Sequence, residues 1–263
     1  MLEVYYQFIK MAFFQKLAFK LSNIAGLGTN LFFMFFKIEL IRAIFKEKAD
    51  ISGYGLQDII TYVVIAQSLL MVISQNSTNL RISESISSGQ IGMDLIKPFN
   101  YHLMILAKTL GISMFYLITR TLPILAVALL FNLIHLDLFF NYNILLAIIS
   151  LFFSIAIASC VYFLVELTGF WIENSKGPRR FVSVVAGFLS GSIIPLAFFP
   201  SWAQEINYYL PFYYTLNSTI EIATGRAQDQ FILLKQLLWS IVLTLLSRYL
   251  FSIAKNKLFI NGG

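Results

Sequence analysis

The sequence predicts an all-α polytopic membrane protein built as a single domain, and three observations carry that reading. Of the 263 residues, 58% are hydrophobic, 16% aromatic and only 12% charged, whereas an ordinary soluble domain is about one quarter charged. The mean hydropathy is +0.77. Six stretches, 22–44, 57–77, 103–131, 143–172, 180–199 and 231–254, approach or exceed the roughly 20 apolar residues that cross about 30 Å of hydrocarbon. Nothing longer than a short loop separates them, so residues 1–263 leave no room for a soluble domain.

Residues 1–20 precede the spans. Glu3 comes before any cation, and Lys10, Lys16 and Lys20 interrupt the apolar residues, a pattern unlike a signal peptide. Tyr5, Phe8, Ile9, Ala12, Phe13 and Leu17 recur at helical spacing, predicting an amphipathic helix at the membrane surface. The first span carries Lys37, Glu39 and Arg42. Lys37 and Glu39 are two residues apart and face different sides, so the span either snorkels its charges or lines a protein interface.

Between spans two and three lies "RISESISSGQIGMDLIKPFN", residues 81–100. Arg81 to Ser88 predicts a short polar helix that Gly89 ends, followed by an apolar-faced turn that Pro98 stops. Arg120 lies about 17 residues into span three, about 25 Å along it and in its outer half. A charge there must face protein, water or headgroups. It is either a contact for an anionic or polar substrate group or a cation that locks the bundle. Pro123 predicts a kink. Glu166, near the cytoplasmic end of span four, has the same two readings, and its different depth predicts that it does not pair with Arg120.

Span five ends in "FLSGSIIPLAFFPSWAQEINYYLPF", residues 188–212. Gly191 with Ser190 and Ser192 allows close helix packing, and Pro195 and Pro200 stop the span before it exits. Trp202, Ile206, Tyr209 and Leu210 share one helical face, and Leu216, Ile220 and Ala223 repeat the pattern after Pro211. Two short helices in or near the outer leaflet are therefore expected within residues 200–229.

Orientation follows from the cations, which are retained on the cytoplasmic side. With the N-terminus inside, cytoplasmic segments hold Lys10, Lys16, Lys20, Arg81, Lys97, Lys176, Arg179, Arg180, Lys255 and Lys257, while outer loops hold Lys46, Lys48 and Arg226. Both termini are expected inside a cell (inner) membrane. The net charge of +6 is spread singly and forms no stripe for nucleic acid. Cys160 is the only cysteine, so no disulfide within the chain or thiolate metal site is available, and His102 and His135 fall on opposite sides. There is no G-x-x-x-x-G-K-[ST], so the chain binds no nucleotide by that loop and is not itself an ATPase. Asn76 and Asn217 match a glycosylation sequon; Asn76 falls at a cytoplasmic boundary, where the match is chance.

"SESISSGQIGMDLIKPFNYHLMILAKTLG" and "FLSGSIIPLAFFPSWAQEINYYLPF", within the six-span layout, resemble the permease subunits of type-2 ABC exporters. The closest match is to the subgroup with I-x-S-G-x-I-x-x-x-L-I-x-P and F-L-S-G-x-x-I-P-L-x-x-F-P motifs, although Gln90 stands where an acid usually follows the Ser-Gly pair. The resemblance implies two separate ATPase subunits, which bind the ATP and Mg, and a second permease, identical or related. It also implies that residues 1–20 form an interfacial connecting helix, that Ile82 to Lys97 contains a coupling helix, and that 200–225 form re-entrant helices over the pathway. Glu84, Ser88, Gly89, Gln90, Ile91, Asp94 and Leu95 are then the expected ATPase contacts. Gly187, Gly191, Pro195, Phe198, Phe199, Pro200, Trp202 and Arg120 are the expected pathway or gate residues. No catalytic residue, metal ligand or cofactor is expected on this chain.

The expected function is outward movement of an amphiphilic cargo, such as a drug, a lipid-like molecule or a peptide, driven by the partner ATPases. The rival is a membrane anchor or assembly subunit with no transport path. An integral membrane enzyme is disfavoured because no His, Asp or Glu cluster converges at one depth.

Overall fold

A computed structural model describes residues 2–47, 50–74, 82–135, 143–172 and 175–257. Lys48, Asn76, Arg81, Met1 and the last residues of the predicted second span lie outside the described residues. Among the described residues the elements are helical, joined by turns and one isolated bridge between Ile51 and Tyr54.

Helix α1 (Leu2–Leu17) breaks at Ala18 and Phe19 and leads into α2 (Lys20–Phe45). α1 lies along α6 (Tyr101–Tyr116): Phe8 packs on Phe99, Phe13 on Phe115, and the Asn100 N–H donates to the Tyr5 hydroxyl at 3.1 Å. Gly111 makes this approach possible, because a Cβ there would run into the Ile9 carbonyl. α3 (Leu56–Ser74) is the central helix, with 67% of its apolar window buried against 22% for α2 and for the last helix, α12 (Ile232–Ala254).

Residues 82–100 fold as the punctuation of the stretch predicts. α4 (Ile82–Ser87) and α5 (Gln90–Leu95) meet at Gly89, which takes the left-handed conformation at φ 72° that glycine alone adopts without strain. Asn100 then caps α6, its side chain accepting from the Leu103 N–H at 3.1 Å. α6 passes through a π-turn, Leu117–Thr121, into α7 (Leu122–Leu130). Pro123 has no N–H to give to the preceding turn, and the wider register absorbs the loss.

α8 (Asn143–Leu167) ends in a 3-10 turn, Thr168–Phe170, and α9 (Lys176–Leu189) follows. The predicted fifth span, 180–199, is helical only in its first part. At 14 residues α9 is about 21 Å long, short of a bilayer. Gly191 at φ 78° closes it as a left-handed C-terminal cap, the Gly191 N–H donating to the Phe188 carbonyl at 3.1 Å. Ile193 then folds back against Gly187. The apolar run to Phe199 does not continue as helix; it turns through Pro195 and a 3-10 turn, Leu196–Phe198. Among the described residues five helical runs are long and apolar enough to cross a membrane: Lys20–Phe45, Leu56–Ile73, Tyr101–Leu130, Asn143–Phe170 and Ile232–Lys257.

The chain returns to the bundle through α10 (Ser201–Tyr208), a 3-10 turn at Tyr213–Thr215 and α11 (Asn217–Ala223). α11 is buried between α8, α3 and α12 by a polar seam. Thr219 Oγ1 lies 2.7 Å from Ser150 Oγ and 2.8 Å from Ser154 Oγ. The Gln236 amide stands 2.9–3.2 Å from acceptors on Ser150, Ser154, Tyr214 and Ser218. In an apolar surrounding such bonds are costly to leave unmade, so they fix the returning segment in one register.

Candidate functional site

The bundle has two chemically distinct ends. The proximal end carries α4, α5 and the start of α9, and also the end of α12, whose Phe251 stacks on Tyr101. The distal end carries residues 50–55, 131–135 and the segment from Gly191 to Phe231.

At the proximal end α4 is clamped to two long elements. Glu166, 1% exposed, accepts the Ser83 backbone N–H at 3.0 Å and pairs with the Arg179 guanidinium at 2.5 Å. Arg179 also donates to Ser83 Oγ at 3.1 Å. Gly169 lies so close that a Cβ would sit 2.8 Å from the Ser83 Cβ. One buried carboxylate thus ties α4 to the end of α8 and the start of α9. As expected, Glu166 does not pair with Arg120.

The same end sorts the predicted contact residues into two sets. Glu84, Ser88, Gly89 and Gln90 are exposed together at the tip. Ile91 is fully buried, packed with Ile82, Tyr101 and Phe163, and anchors α5. Leu95 packs partly on that cluster, and Asp94 is held by Lys97 at 2.6 Å. Met93 and Ile96, which sequence reasoning passed over, are 64% and 86% exposed on the same tip. Their i, i+3 spacing in "IGMDLIKP" was the available signal.

Arg120 stands apart from the other predicted pathway residues. Its guanidinium fills the notch at Gly26 of α2, with Nε and Nη1 buried and unpartnered among the described residues, as is Nδ2 of Asn30 one turn along α2. The neighbouring Thr121 hydroxyl donates to the Ser68 carbonyl at 2.9 Å, past the midpoint of α3 counted from its distal end. Arg120 therefore lies deeper towards the proximal end than the predicted outer half.

The charges of the first predicted span divide. Lys37 turns inward and donates to Gln67 Oε1 at 3.3 Å and to the Ser192 carbonyl at 2.9 Å, joining α2 and α3 to the turn after α9. Glu39 and Arg42 pair with each other at 2.7 Å on the exposed face.

Around the end of α9, a cleft of about 210 Å³ is lined by residues of α3, α8 and α9, with Gly187, Ser190 and Ser192 at one side. Gly191 meets the Tyr62 hydroxyl, which lies 3.1 Å from the Gly191 carbonyl and 2.9 Å from Asn217 Oδ1. Pro195 is buried, Phe198 and Phe199 pack on the core, and Pro200 starts α10. Trp202 points away from the bundle and is 65% exposed.

The distal end holds two adjoining cavities of about 590 and 320 Å³, sharing Tyr54, Tyr62, Glu221 and Arg226 in their walls. Glu221 accepts from the Tyr213 hydroxyl at 2.5 Å and from Asn217 Nδ2 at 2.6 Å. Burial pushes its carboxyl above the usual range, and these two donors work against the shift. Arg226 pairs with Asp58 at 2.5 Å and lies over the Tyr54 ring. At the rim Asp229 is bonded by Lys235 and the Tyr208 hydroxyl, which hold its carboxyl down at about 2. Among the described residues no group of three His, Cys, Asp or Glu is placed to hold a metal, and Cys160 is a buried free thiol.

Long apolar helices, a short helical pair clamped beneath them and a capped incomplete helix are the features of a polytopic membrane protein. The model of the ABC-2 family transporter protein matches residues 31–262, so the chain belongs to the ABC-2 transporter family and is a permease subunit of an ABC transporter. Membership implies partnership with an ABC ATPase, since the family supplies the membrane component. No curated protein matches the chain.

Proposed function

We propose that this chain is the permease subunit of an ATP-driven exporter, with two ATPase subunits docked on its proximal, cytoplasmic end and a second permease beside it. The observation that carries the reading is the proximal tip. Glu84, Ser88, Gly89 and Gln90 lie exposed beside Met93 and Ile96, while Glu166 and Arg179 tie the same short helices to α8 and α9. An exposed apolar pair rimmed by polar groups is suited to a groove on a soluble partner. A push on α4 reaches the bundle through a buried ion pair rather than through a loose loop.

The exposed apolar residues of α2 and α9, among them Phe32, Phe36, Phe181, Val184 and Phe188, support a path between two permeases formed by α2, α3 and α9. Closure of the ATPases would tilt α9 against α3 and open the cleft beneath Gly191. The mainly apolar wall of that cleft favours an amphiphilic cargo. The preponderance of cations on the proximal segments supports placing both termini in the cytoplasm.

Replacing both Met93 and Ile96 by Glu is expected to reduce ATPase association at least tenfold, about 1.4 kcal/mol or more, with the permease still monodisperse in detergent. Binding equal to wild type, measured by pull-down of the ATPase on the purified permease, overturns the proposed docking surface.

A further inference from the structure

The distal chamber has walls suited to one class of chemistry. Tyrosines at 54, 62, 208, 209 and 213 line it, and rings of this kind attract cations over their faces. Two already do so: Arg226 lies 4.7 Å from the Tyr54 centroid and Lys235 4.5 Å from that of Tyr208. Each of these cations also has a carboxylate, Asp58 and Asp229 respectively. Glu221 differs from those two acids. Its oxygens meet only neutral donors, Tyr213 and Asn217, and among the described residues it forms no ion pair. A partly buried acid with no cation, facing a cavity of about 590 Å³, is a site lacking one positive charge. That volume lies within the range of small-ligand pockets, roughly 300–1,000 Å³.

We propose that the distal chamber binds the basic group of an organic cation, with Glu221 as the counter-charge and the tyrosine rings as the wall. In the reading of the chain as an exporter permease, on which this part rests, the cargo is a cationic amphiphile, and its amine or quaternary ammonium group is held under the cap formed by α10 and α11. Tyr213 and Asn217 hold the carboxylate in place, and Tyr62 fixes Asn217 from α3. Arg226, on the wall of both cavities, sets the local potential against the ligand.

The test uses the full chain in lipid nanodiscs, titrated with radiolabelled benzyltrimethylammonium and challenged with neopentylbenzene, its uncharged isostere. Wild type is expected to bind the cation saturably, with the isostere failing to displace it. Glu221→Gln is expected to weaken binding at least tenfold, and Arg226→Gln to strengthen it severalfold by removing a competing charge. Unchanged affinity in Glu221→Gln, or displacement by the isostere as effective as by unlabelled cation, overturns the proposal. If Glu221→Gln does not insert, Arg226→Gln decides: unchanged or weaker binding overturns it. Binding is measured without the ATPase, so failure of the exporter reading would appear as lost ATPase association and leave the binding result standing.

Discussion

Arg179→Ala is expected to loosen the proximal end and uncouple it from the bundle. The substitution leaves Glu166, 1% exposed, with the Ser83 N–H but no counter-charge. Breaking one side of a buried pair costs about 3–5 kcal/mol, more than removing the pair altogether. The double variant Glu166→Gln with Arg179→Met should therefore recover much of the stability that Arg179→Ala loses. Thermal unfolding in nanodiscs checks the first part, with the single variant melting well below both wild type and the double variant. The functional part is separable. ATPase should still bind the tip in the double variant, whereas transport driven by its ATP hydrolysis should fall, because α4 no longer pulls on α9 through a fixed link. A double variant that transports as wild type does would show that the ion pair only stabilises the fold.

Gly191→Val is expected to act at the other end of α9. Valine at φ 78° is strained because its branched Cβ meets the backbone, and the Cβ would also collide with the Tyr62 hydroxyl. Together these cost about 3 kcal/mol, the upper part of the range for a strained backbone position. The collision would displace Tyr62 from Asn217, so the cap should lose its tie to α3 along with its turn. Limited proteolysis of the 191–231 segment is the direct measure, with faster cleavage in Gly191→Val. Gly191→Ala should be milder, and adding Tyr62→Phe should partly restore it by removing the clashing oxygen. Additive effects of Gly191→Ala and Tyr62→Phe would argue against contact between the two positions.

The parts of the fold legible in the sequence were those written in local signals. Gly89 and Pro98 bounded α4 and α5, and the long apolar runs marked the five helices that, among the described residues, are long and apolar enough to cross a membrane. In the run from 180 to 199 hydropathy counts apolar residues without asking whether they stay helical, and the helix covers only its first part. Gly191 and Pro195 end α9 early, and the remainder is apolar because it packs on the core. The residues missed were those whose roles depend on tertiary partners. Ser150, Ser154 and Gln236 are unremarkable in a string of leucines, and only α11 lying against them reveals the seam. Glu166 looked like a boundary charge until Arg179, 13 positions on, was brought to it. Ile91 shows the same dependence: its motif pointed to a contact surface, and the fold buries it with Ile82 as the core of the short helical pair.

The most direct test of the coupling mechanism is affinity purification of the tagged chain from its native membranes, followed by identification of what comes with it. The expected result is an ATP-binding subunit bearing the phosphate-binding loop that this chain lacks, at one copy per permease, and its loss when Met93 and Ile96 are both replaced by Glu. Recovery of an intact, monodisperse permease with no ATPase would contradict that mechanism and favour a role as a membrane anchor.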